Sequence, residues 1–163
     1  MNVVEEKNSK IGGKFLTFFL DKEEYGIEIL KVQEIIGVMP VTPIPKMPDY
    51  VKGVINLRGR IIPVIDLRLK LSMPSAPLTE ETCFIVVKSQ NIFVGVIVDR
   101  VSEVTDISGE NIENTPDVAL INSDYIMGIG KENGKVRILL DIDKVLTQEE
   151  AKNLKKAISQ EVK

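Results

Sequence analysis

The chain contains no histidine and no tryptophan, a single cysteine, and few aromatic residues, five Phe and three Tyr. Without histidine it lacks the commonest general base, the commonest zinc nitrogen ligand and the side chain that switches charge near neutral pH. A phosphohistidine on this chain is excluded as well. One cysteine, Cys83, cannot close an internal disulfide, and its solitude fits a reducing compartment. A formal net charge of −3 supplies no basic field for nucleic acid, and the scarcity of aromatics leaves no base-stacking platform. No apolar run approaches the roughly 20 residues needed to span a bilayer, so no direct membrane insertion is expected. The stretch Met1 to Lys10 is polar and charged and does not read as a signal peptide. The expected location is cytoplasmic.

What is present is an ordinary globular balance over 163 residues, 44% hydrophobic and 28% charged. That length suits one domain or two small, intimately joined ones, with a core that needs no staples. Met1 to Gly13 is polar, ends in Gly12-Gly13 and reads as a loose tail. Lys14–Leu20 and Tyr25–Ile29 read as strands around the polar turn Asp21-Lys22-Glu23-Glu24. Leu30–Ile36 is ambiguous between strand and a short helical turn. Met39–Pro48 holds Pro40, Pro43, Pro45 and Pro48 and must be a loop or edge segment, either a rigid connector or a PxxP docking site. Leu71–Glu81 is the clearest break in the pattern. Further strands are expected at Thr82–Val87, Ile92–Val98 and Val101–Ile107, with Gln90-Asn91 turning between the first two. Ser108–Leu120 is polar and irregular. Tyr125–Ile129 and Val136–Ile142 pair across a turn in which Asn133-Gly134 signals type I′. Thr147–Val162 is the one convincing helix: Thr147 and Glu150 have capping-box spacing, and Ala151, Leu154, Ala157, Ile158 and Val162 form a stripe. Such a helix covers a barrel end or binds a partner. Many short strands and one terminal helix make an all-β barrel or sandwich.

Candidate chemistry is thin. Gly128 to Lys135 resembles a phosphate loop only superficially, because Lys135 is followed by Val136 and a strand pattern instead of a hydroxyl and a helix. Asp141 and Asp143 point the same way on a strand. They suit a metal or an acid–base pair, or else strand-end solvation and capping of a turn near Lys144 and Val145. No further ligand or nucleophile joins them. Cys83 sits in the apolar run T-C-F-I-V-V with no base to activate it and reads as a small hydrophobe. Asp66 follows Val64-Ile65 and can accept backbone donors or pair with Arg68 or Arg100. The most distinctive stretch is Gly53 to Arg68, in which two β-rich runs meet at Arg58-Gly59-Arg60. Two arginines on a tight turn, over an apolar base, make a surface suited to recognition by a partner.

That stretch, N-L-R-G-R-I-I-P-V-I-D-L-R, resembles the signature of the CheW family, adaptor proteins of bacterial chemotaxis. Tyr25 to Ile35, Thr42-Pro43-Ile44-Pro45 and Gly95 to Val101 resemble three more segments of the same family, and the likeness covers Lys14 to Leu146. It implies two interlocked SH3-like five-stranded β-barrels with a short helical turn. The expected organisation is a tail over 1–13, a CheW-like domain over 14–146 with a break near 71–81 close to a crossing between barrels, and a C-terminal helix over 147–163. The implied function is non-catalytic: coupling methyl-accepting chemotaxis receptors to the chemotaxis histidine kinase, with no cofactor and no metal, from the cytoplasm at membrane receptor arrays. The implied partners are the receptor's cytoplasmic tip and the kinase's regulatory domain, itself a homologue of the fold. By the same resemblance Val32, Glu34, Gly53 and Arg58 match the receptor-contact region. Val32 offers an apolar contact that Ile35 extends, Glu34 and Arg58 set register by opposite charge, and Gly53 permits a close backbone approach. Ile27, Ile29 and Ile35 are either core or kinase contacts.

Overall fold

The computed structural model describes residues 12–113 and 124–161. The expected tail up to Ile11, the second half of the polar stretch Ser108–Leu120, and Val162 of the helical stripe lie outside the described residues. Among the described residues, eleven strands form two antiparallel-rich sheets. The strands are β1 (Gly13–Leu20), β2 (Glu23–Glu28), β3 (Val32–Gly37), β4 (Val51–Leu57), β5 (Arg60–Asp66) and β6 (Cys83–Ser89), then β7 (Ile92–Val98), β8 (Arg100–Ile107), β9 (Ile112–Glu113), β10 (Ile126–Glu132) and β11 (Lys135–Leu140). Two short helices, α1 (Leu67–Lys70) and α2 (Ile142–Val145), follow strand ends, and α3 (Gln148–Glu161) closes the chain.

Turn chemistry explains the hairpins. Arg58-Gly59, Gln90-Asn91 and Asn133-Gly134 all carry positive φ at both positions, the type I′ geometry whose twist matches flanking strands. The side chain of Asn56 accepts the Gly59 amide at 2.8 Å and fixes the first of these. The ambiguous stretch resolves into a 3₁₀ turn over Ile29–Lys31 followed by the edge strand β3.

The sheet orders are β8-β1-β2-β11-β10-β9 and β3-β6-β7-β5-β4. The middle of the chain therefore builds one barrel, and both flanks build the other, which is the interlocking expected from the family resemblance. The flanking barrel has five full strands plus the two-residue β9. One expectation needs correction. The 71–81 break joins β5 to β6 within a single sheet, so it marks no crossing. The chain changes sheet at Ile29–Lys31 and again at Asp99, the lone residue between β7 and β8. Proline and serine report where regular structure stops, whereas a change of sheet needs only a short turn.

Three apolar clusters account for the strands' near-continuous hydrophobic runs, since strands buried on both faces do not alternate. Phe15, Ile107, Ile112 and Leu139 fill the flanking barrel. Ile55, Ile62, Val64, Phe84 and Val86 fill the central one. The largest cluster, including Leu16, Phe18, Ile85, Val87, Val96 and Leu154, lies between the two sheets. Along β6, Phe84 and Val86 point into the barrel while Ile85 and Val87 point to the seam. Each such fully buried side chain contributes about 1.5–3 kcal/mol.

Polar fasteners hold both crossings. The Asp99 carboxylate accepts the Arg68 Nε at 2.9 and 3.1 Å and the Asp21 amide at 2.6 Å, tying α1 to the first hairpin. Burial pushes the Asp99 carboxyl up, but the Arg68 and Asp21 hydrogen bonds outweigh it and hold it below the usual range. At the other crossing, Asp143 receives Lys31 at 2.7 Å and the Gln90 amide at 3.4 Å. Asp66, Asp141 and Thr147 cap their helices. Asp66 accepts the Arg68 amide at 2.9 Å, and Asp141 accepts the Asp143 amide at 3.1 Å. The expected capping box is present, with Thr147 N to Glu150 at 2.8 Å and Glu150 N to Thr147 at 3.1 Å. Glu150 also accepts the Tyr50 hydroxyl and Lys70 Nζ, each at 2.9 Å. Ala151 and Leu154 are buried beneath the helix.

Candidate functional site

The strand β3 and the β4–β5 turn lie at opposite edges of the central sheet, yet the Arg58 guanidinium pairs with the Glu34 carboxylate. The sheet curls until its two edges approach without pairing, and this ion pair bridges the gap at one mouth of the barrel. Arg58 takes φ +54° in the type I′ turn, which throws its side chain clear of the barrel wall; that side chain is 70% exposed, against 27% for Glu34. A depression of about 200 Å³ lies beneath, lined by Gln33, Leu57, Ile62, Val86 and Phe93 together with the charged pair. Arg60 completes the rim, its guanidinium 4.7 Å above the Phe93 ring. The mouth thus has an apolar floor and a rim of two arginines with one carboxylate.

The bulge in β3 decides which residues face which way. Pairing shifts between Val32 and Glu34, so Val32 sits opposite Val87, a seam residue, whereas Glu34 sits opposite Val86, a barrel-interior residue. Residues two apart on a regular strand would share a face; here they do not. Ile35, opposite Ile85, falls on the seam side with Val32. It is 43% exposed, and Leu30 in the crossing turn is 92% exposed. The outcome is a charged mouth on one face of β3 and an apolar strip along the seam on the other. Because β3 is an edge strand, one side of its backbone is unpaired within the sheet.

The remaining expected residues lie elsewhere. Gly53 is buried, and its φ of +141° and its surroundings show why it must be glycine: an added Cβ would stand 2.0 Å from the Thr42 carbonyl oxygen. It lets the proline-rich segment lie across β4, where Thr42 and Val54 exchange backbone hydrogen bonds at 2.8 and 2.9 Å. Gly53 therefore shapes the barrel and presents no surface. Ile27 is 2% exposed in the seam core and cannot contact a partner in this fold. Alternation along β2 places it inward beside Tyr25, and sequence alone left that choice open. Ile29 is half-buried against the same cluster. Asp66 takes the first of its two expected roles, accepting the Arg68 and Leu69 amides, and forms no ion pair with the Arg68 or Arg100 guanidinium; that of Arg68 goes to Asp99, and that of Arg100 lies 4.2 Å above the Phe19 ring. Leu30 and the Arg60–Phe93 stack were missed. Leu30 carried a signal, a large apolar residue next to a charged one at a change of periodicity, and Arg60–Phe93 carried none because β5 and β7 are far apart in the chain and meet only as parallel neighbours in the sheet.

Asp141 and Asp143 are occupied by capping, Lys31 and Gln90. Among the described residues no cluster of three or more Cys, Asp or Glu side chains is arranged to hold a metal, and no helix is long and apolar enough to cross a membrane.

Comparison with known proteins places these features in a family. The model of the CheW-like domain matches residues 14–150. A chemotaxis protein CheW of Klebsiella aerogenes is 45% identical over 141 residues, covering 86% of this chain and 85% of that one. The Bacillus subtilis chemotaxis protein CheW is 34% identical over 145 residues, with 88% and 93% covered. The crystal structure of scaffolding protein TtCheW from Thermoanaerobacter tengcongensis superposes with a TM-score of 0.79 at 33% identity, covering 85% of this chain and 97% of that one. With its two interlocked barrels and a family match over most of its length, the chain belongs to the CheW-like family.

Proposed function

We infer that this protein is a non-catalytic chemotaxis adaptor that couples methyl-accepting receptors to the chemotaxis histidine kinase. The observation that carries the reading is the position of β3. One edge strand offers a charged mouth, Glu34 with Arg58, on one face and an apolar strip, Val32 with Ile35, on the other. A receptor's helical tip laid along this strand buries its apolar residues at the seam and meets the arginine rim at its flank. Arg58 and Glu34 set register; Val32, Ile35 and Leu30 supply buried area; Gly53 acts from beneath by shaping the barrel. The coupling unit is residues 14–146.

The kinase's regulatory domain is the second partner, paired barrel to barrel, with Ile29 and Ile35 as candidate contacts. Two modest interfaces on one small body suffice to build an array, because each tether raises the effective concentration of the next contact. The protein works on the cytoplasmic side, recruited to receptor arrays, and transmits signal by contacting receptor and kinase differently in their two states.

The test is a reconstitution of receptor-bearing membranes with the cognate kinase. Kinase autophosphorylation that requires this protein, and that attractant suppresses, supports the role. Binding to neither partner, with no change in autophosphorylation, refutes it.

A further inference from the structure

The central barrel has a second mouth, at the end away from Glu34 and Arg58. Phe84 and Ile97, on neighbouring strands in register, form its floor and belong to the same interior cluster as Val86 and Phe93 at the first mouth. A groove of about 760 Å³ opens there. Ligand sites of this kind measure about 300–1,000 Å³ and combine apolar lining with a few polar groups. One wall is the segment that follows β3, with Val38, Met39 and Val41; the other is the break between α1 and β6, with Ser75, Ala76 and Leu78.

The two walls share an unusual property. Among the described residues, the backbone groups of those six enter no hydrogen bond. They flank an apolar trough in which Val38 is 43% and Leu78 58% exposed. Lys52 and Asp66 also line the groove, and among the described residues no ion pair joins them or engages Lys52 elsewhere. Only Oδ1 of Asp66 is used, by the Arg68 and Leu69 amides at 2.9 and 3.5 Å.

We propose that this second mouth binds a short extended peptide segment with apolar side chains and both a basic and an acidic residue. An extended chain can pair its main chain with the free backbone groups of the walls, set alternate side chains on Phe84 and Ile97, and answer the two unpaired charges. A helical segment satisfies its own backbone and has no use for such walls. Pro40 and Pro77 remove one donor from each wall, which keeps the paired stretch short and stops the walls from recruiting long strands. The site shares no residue with the receptor-facing mouth and stands independently of it.

The experiment titrates the ¹⁵N-labelled protein with a capped heptapeptide alternating Leu and Ser, with one Lys and one Glu, and with the same peptide methylated on alternate backbone nitrogens. Binding should shift and slow the exchange of the Val38, Met39, Ala76 and Leu78 amides. Methylation should weaken it by about tenfold or more, and so should Leu78→Arg, a change at an exposed position that leaves the barrel folded. Equal binding of the methylated peptide would make the groove a pocket for apolar molecules in general and overturn the proposal. So would shifts centred on Glu34 and Arg58, indifference to Leu78→Arg, or no binding at millimolar peptide.

Discussion

Replacing Gly53 by alanine tests whether this residue acts through the barrel or through a partner. Two costs follow from the geometry. A φ of +141° is open to glycine and strained for alanine, by about 1–3 kcal/mol. The added Cβ would also stand 2.0 Å from the Thr42 oxygen and 2.6 Å from its carbonyl carbon, so the segment must lift. Lifting it breaks the two backbone hydrogen bonds between Thr42 and Val54, worth about 0.5–1.5 kcal/mol each. The sum is about 2–6 kcal/mol, a large fraction of the roughly 5–15 kcal/mol that a domain has. At a urea m-value of about 2 kcal/mol/M the unfolding midpoint falls by about 1–3 M. Gly37→Ala is the control, since Gly37 lies in the same sheet with open space where its Cβ would go; its midpoint should stay within about 0.3 M of the parent. Should Gly53→Ala also stay within that margin, the steric reasoning is wrong and Gly53 must act at a contact surface after all.

Arg58→Glu should abolish receptor coupling in the reconstituted assay while costing the fold less than about 1 kcal/mol, because the pair is exposed; adding Glu34→Arg should restore stability but not receptor affinity. Asp99 has a folded pKa below its unfolded value of about 3.9, so its contribution is present above that pH and is lost as pH falls through the folded value. Stability measured against pH should therefore drop less steeply on the acid side for Asp99→Asn than for the parent, and an unchanged slope would assign the acid loss elsewhere. Thr147→Ala removes one half of the capping box and should lower stability by about 1 kcal/mol, read from the urea midpoint.

Much of this was legible in the sequence because the causes are local. Asn133-Gly134 and Gln90-Asn91 tolerate positive φ, and their turns formed where expected. Thr147 and Glu150 are three residues apart and cap one helix end. The arginines of the β4–β5 turn were identified as a surface device, and they rim a barrel mouth. Where the sequence left a choice open or a reading failed, the cause was distant. Ile27 and Ile35 have similar local contexts, yet one is sealed in the seam core and the other is open. The Leu71–Glu81 break reads as lying close to a crossing between the barrels, whereas the strand order puts β5 and β6 in one sheet.

The sequence by itself determined most of the strands, the turn geometry, the C-terminal helix with its cap and the absence of histidine chemistry, because each depends on neighbouring residues or on composition alone. Only the tertiary structure decided that β3 would meet the β4–β5 turn, that a bulge would send Val32 and Glu34 to opposite faces, and that one barrel would have two mouths of different character. Sheet closure joins residues far apart in the chain, and a one-residue shift in pairing reverses which face a side chain occupies. Neither leaves a mark on local periodicity.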